Sequence, residues 1–146
     1  MGFIAAVRLC LRRYALFRGR APRAEFWWFF LFTTALSFAV LPLEAVLREE
    51  LVEGIDLAIS LAFLSPSLAV TIRRLHDRDR TGWWALLFAP ITWFGFFPPQ
   101  HGDPTAVLLY PGLIALLAGL IMLVSPGTEG ANRFGPDPLA APAAAI

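Results

Sequence analysis

Charged positions in this 146-residue chain fall in blocks, and between the blocks lie four stretches with no charge at all: 26–43, 57–72, 82–99 and 105–124. Eighteen residues of α-helix reach about 27 Å at 1.5 Å per residue, close to the ~30 Å hydrocarbon thickness of a bilayer. The pattern therefore predicts an all-α membrane protein with four transmembrane helices, at 26–43, 57–72, 82–98 and 105–124. The first begins with Trp27 and Trp28, and Trp83, Trp84 and Trp93 flank the third, where indole rings sit at headgroup depth. The second is short and contains Pro66, whose ring removes the hydrogen bond to Ala62; Ser65 or Ser67 is placed to re-satisfy the backbone. In the third, Pro90, Gly95 and the pair Pro98-Pro99 predict an irregular helix.

Outside the spans the pattern changes. In MGFIAAVRLCLRRYALF, Phe3, Ile4, Val7, Leu11 and Tyr14 recur at helical spacing, with Arg8, Arg12 and Arg13 off that face. This predicts an amphipathic helix lying in the membrane interface. Pro22 and Glu25 mark a helix start, through the fixed φ of proline and the favourable charge at a helix N-terminus. Residues 44–56 hold five acidic side chains and one arginine, and read as a loop. Residues 1–138 read as one membrane domain. The Pro, Gly and Ala-rich residues 139–146 read as a disordered tail.

Composition sharpens this reading. The 58% hydrophobic content exceeds the roughly 45–50% of ordinary soluble domains. A soluble bundle of this length would have too little polar surface to cover four helices buried on all faces. All twelve basic residues are arginines, and eleven lie before the first span, in the 73–80 loop or in the tail. By the positive-inside rule both termini and that loop are cytoplasmic. A net charge of +1 gives no field suited to nucleic acid. One cysteine excludes an internal disulfide, and His76 and His101 have no metal-ligand spacing, so neither a metal nor a cofactor is expected.

Three patches, GRAPRAEFWWF (19–29), PSLAVTIRRLHDRDRTGWW (66–84) and PGTEGANRFGPDP (126–138), together resemble the bacterial family called domain of unknown function 805. The resemblance implies a small multi-pass protein of the bacterial inner membrane and no assigned reaction. Pro22 stands where that family commonly has serine. Arg78-Asp79 replace its usual Thr-Gly, so the turn that glycine would allow is either made by Asp79 or shifted.

The arginine count places all three patches on the cytoplasmic side. There Arg20, Arg23, Glu25, Arg73, Arg74, His76, Asp77, Asn132, Arg133 and Asp137 are expected to form a polar layer over the helix ends. Arg73 and Arg74 read first as a topology signal reaching lipid phosphates, and Arg73 and Asp77, four apart, as a pair. The layer is expected to bind anionic lipid or a partner protein, with a homo-oligomer as another outcome, and the protein to be non-enzymatic. The competing reading is an enzyme acting on a lipid headgroup, with His76 as acid or base and Arg73, Arg74 and Arg133 on phosphate. Asp77, about 100° away from His76 on a helix, is badly placed to orient it; Glu25 or Asp137 would have to.

Overall fold

A computed structural model describes residues 1–40, 42, 46–88 and 109–140. Its elements are α1 (Phe3–Arg12), α2 (Arg23–Val40), α3 (Glu49–His76), a 3-10 segment (Gly82–Phe88) and α4 (Leu109–Val124). Among the described residues there is no strand, only an isolated bridge between Asn132 and Gly135. The expected third span is described only at its start, as 3-10 rather than α-helix; residues 89–98 and 105–108 lie outside the described residues, as do residues 141–146 of the tail.

The Pro22 carbonyl accepts the N–H groups of Glu25 and Phe26, so the helix start falls where proline and glutamate predict it. α2 is described as far as Val40, and the expected boundary at residue 43 lies outside the described residues. The acidic stretch 44–56 is not all loop: α3 begins at Glu49, with Glu50 and Glu53 in its first turns, where negative charge suits the helix dipole. At 28 residues α3 is about 42 Å long. Its Glu50–His76 part is long and apolar enough to cross a membrane. Only 17% of its most apolar window is buried, which separates it from the core helix of a soluble protein.

α1 packs on α2 through Ala6 and Cys10, two small side chains one turn apart that permit close approach. Its apolar stripe points outward, with Ile4 70% exposed. α2 and α3 meet through Phe29, Phe32 and Phe63, the last two edge to face at 5.5 Å. Cys10, Ala21, Phe26, Phe29, Val70, Leu75 and Leu123 form the buried cluster, toward the end of the molecule where α2 starts and α3 and α4 finish. Outward-facing Phe30, Leu31, Phe38, Leu57, Leu61 and Leu64 cover the flanks of α2 and α3 with apolar surface.

Pro66 is buried inside α3, and the carbonyl it frees, that of Ala62, accepts the Tyr14 hydroxyl at 2.5 Å. Ser65 Oγ in turn donates to the Tyr14 carbonyl at 3.3 Å. The chain after α1 therefore repairs the break in α3, a role expected of the serines alone. Tyr14→Phe is predicted to lower stability by about 1 kcal/mol, and by less in a Pro66→Ala background, where the restored N–H serves Ala62. Thermal unfolding of the four proteins in one detergent measures this coupling; additive losses would contradict it.

Candidate functional site

The polar layer forms because three separate chain segments arrive at one helix end. α3 carries Arg73, Arg74, His76 and Asp77 on its last turn and C-cap. The segment between α1 and α2 supplies Gly19, Arg20 and Ala21, and the Ala21 N–H bonds to the Arg73 carbonyl at 3.0 Å. The segment after α4 returns across the end, its Thr128 N–H bonding to the Asp77 carbonyl at 2.8 Å.

Asp77 is the centre of the cluster. One carboxylate oxygen accepts Arg20 Nε at 2.9 Å and the other pairs with Arg74. Arg20 also donates through Nη1 to the Gly130 carbonyl and through Nη2 to that of Thr128, both at 2.5 Å. Arg74 donates through Nε to the Leu123 carbonyl at 3.1 Å and through Nη2 to that of Ser125. Arg23 reaches the Val124 carbonyl more loosely, at 3.4 Å. The arginines thus take up carbonyls that the end of α4 leaves without helical partners. Arg20, Arg74 and Asp77 are all buried, Arg74 at 0% exposure.

Arg73 turns the other way. Its Nη2 lies 3.0 Å from Glu25 Oε1, and its Nε donates to the Ala69 carbonyl. Neither Nη makes an aligned hydrogen bond among the described residues, so charge more than direction holds this pair. The expected Arg73–Asp77 pair does not form. Residues 73 and 74 point about 100° apart, which sends one to α2 and leaves the other on the Asp77 face. Both are buried away from lipid phosphate, so internal pairing replaces the surface role first read for them. The Cys10 thiol sits 3.8 Å from Glu25 Oε1, and burial, aided by the glutamate charge, pushes its pKa up to about 12. It is held as the neutral thiol, a poor nucleophile.

His76 is oriented by neither Glu25 nor Asp137. Its Nδ1 lies 3.1 Å from the Gly19 carbonyl, which can only accept, so Nδ1 carries the hydrogen; the ring stacks on Phe134 at 3.9 Å. Asn132 donates to the His76 carbonyl and to Thr128 Oγ1, both at 2.9 Å, and accepts the Phe134 N–H. Asp79 has φ of 54°, so of the two outcomes left open by the missing glycine the turn stays at Asp79 and is not shifted. An exposed Arg133–Asp79 pair at 3.0 Å covers that turn. Asp137 faces away, accepting the N–H groups of Leu139 and Gly130, which hold its carboxyl below the usual range.

With this geometry in view, the family described as "Protein of unknown function (DUF805)" matches residues 14–136. The chain belongs to this family. Among its relatives, the inner membrane protein YhaH of Escherichia coli is 39% identical over 135 residues, covering 88% of this chain and 91% of that one. The inner membrane protein YhaI of the same organism is 36% identical over 128 residues, covering 88% and 90%. The uncharacterized protein YiiR is 30% identical over 128 residues, covering 83% and 84%. No solved structure matches. This DUF805 chain is a bacterial inner-membrane protein.

The matched region of the DUF805 chain holds every residue of the cluster except Cys10 and Asp137. Three contributors carry no sign of their role in the sequence: Cys10, Gly127 and the carbonyls of Leu123, Val124, Ser125, Thr128 and Gly130. Backbone acceptors leave no mark in side-chain identity. Gly127 belongs to the 126–138 patch, and only the approach of Asp77 gives it meaning.

Proposed function

We propose that this is a four-span, non-enzymatic structural protein of the inner membrane, with cytoplasmic termini, whose arginine-rich cytoplasmic face binds anionic lipid. The observation that carries the reading is a division among the arginines. Arg20 and Arg74 spend all their side-chain nitrogens on protein acceptors, which suits a structural tie better than a headgroup clamp. Arg8, Arg12, Arg18, Arg80 and Arg133 remain exposed. The structural tie brings Arg20, ahead of α2, onto the chain beyond α4, in keeping with both termini on one side of the bilayer.

Each exposed basic residue near an anionic surface contributes about 1 kcal/mol, and screening weakens it with salt. Flotation of the purified protein in nanodiscs against vesicles containing 30% phosphatidylglycerol tests the reading. Arg8, Arg12, Arg18 and Arg80 changed together to glutamine are expected to abolish low-salt vesicle association while thermal unfolding is unchanged. Equal association of wild type and variant would overturn it.

A further inference from the structure

Between α1 and α2 runs an open groove of about 470 Å³, lined by Phe3, Ile4, Val7, Leu11 and Phe32, with Arg8 and Arg12. That volume falls within the roughly 300–1,000 Å³ typical of small-ligand sites. The groove follows from the way α1 is seated. Because Ala6 and Cys10 face the bundle, the Phe3–Val7–Leu11 row, spaced four apart, flanks the contact with α2 and touches it through Phe3. Phe3 anchors one end against Trp28, edge to face at 5.8 Å, and near Phe32 at 6.5 Å. Toward the other end of α1, Cys10 is buried beside Glu25 and fixes the helix on α2 outside the groove. The trough is thus formed mainly by α1, with Phe32 the residue of α2 that lines it.

Arg8 and Arg12 are one helical turn apart and both exposed, so their guanidinium groups can converge on one small anion. No acidic residue is among those lining the groove. An apolar trough with two cations at its rim complements a molecule with one negative phosphate and a long hydrocarbon chain. We infer that the α1–α2 groove is a specific site for one anionic phospholipid, its phosphodiester held by Arg8 and Arg12 and an acyl chain lying along Phe3, Val7, Leu11 and Phe32. This rests on the anionic-lipid reading above and deepens it, from a diffuse attraction of the face to a stoichiometric site.

Native mass spectrometry of the full-length protein, delipidated in detergent and titrated with phosphatidylglycerol or phosphatidylcholine of matched chains, tests the site. Wild type is expected to take up one phosphatidylglycerol at least tenfold more tightly than phosphatidylcholine. Arg8→Gln with Arg12→Gln is expected to erase that preference. Val7→Trp, which fills the trough and leaves both arginines, is expected to weaken both lipids. All these positions lie at the surface or its edge, and thermal unfolding verifies that the variants fold.

If the double glutamine variant keeps the tight phosphatidylglycerol adduct, the groove assignment is wrong. If it keeps that adduct while the fourfold variant loses vesicle association, the diffuse reading stands without the site. If wild type shows no tight adduct but a protein co-purifies at fixed stoichiometry on α1, the groove is a protein-docking surface and the lipid assignment fails.

Discussion

Asp77→Ala is expected to destabilise the folded protein by about 3–5 kcal/mol, the cost of leaving buried charges without their partner, and to lower Tm by on the order of 10 °C. The carboxylate sits between Arg20 and Arg74, at 6% and 0% exposure, so its loss leaves two like charges facing one another out of water. Adding Arg74→Met is expected to recover only part of the loss. That arginine also serves the carbonyls of Leu123 and Ser125, which its removal strands. Thermal unfolding in a mild detergent checks both results. An Asp77→Ala protein as stable as wild type would show that water or lipid reaches the cluster.

Gly127→Ala is expected to cost about 1–3 kcal/mol, in the range of overpacked interiors. A Cβ at that position would overlap the Asp77 carboxylate. Two arginines fix the carboxylate, so it cannot swing clear. Gly127 is not among the glycines with positive φ, so the need is for space and not for an unusual backbone. The penalty is therefore expected to fall sharply in an Asp77→Ala background, where the obstructing group is gone. A penalty of equal size in both backgrounds would place its origin in the backbone.

Much of the outline could be read from residue order. The helix start after Pro22 follows from local chemistry and the convergence of three patches from where the arginines cluster, while the turn at Asp79 is one of two outcomes left open by the missing glycine. What could not be read depends on rotation about a helix axis or on segments far apart. Arg73 and Arg74 each have an acidic residue within reach by spacing, and only the position of α2 sends Arg73 to Glu25. The α1 periodicity identified an apolar stripe, but contact with α2 uses the smaller Ala6 and Cys10. Tyr14 read as part of that stripe because nothing local says that its hydroxyl meets Ala62, 48 positions later. Within residues 44–56, acidic side chains suited both a loop and the first turns of α3, and hydropathy does not distinguish them.

The carbonyls that satisfy Arg20 belong to Thr128 and Gly130, 108 and 110 positions further on. A ribosome making this chain releases Arg20 long before it releases these acceptors. Until then this end lacks two of the acceptors that satisfy Arg20, and it can shut only once the residues beyond α4 have been made. The closing of this end therefore follows the making of α4 and cannot guide it.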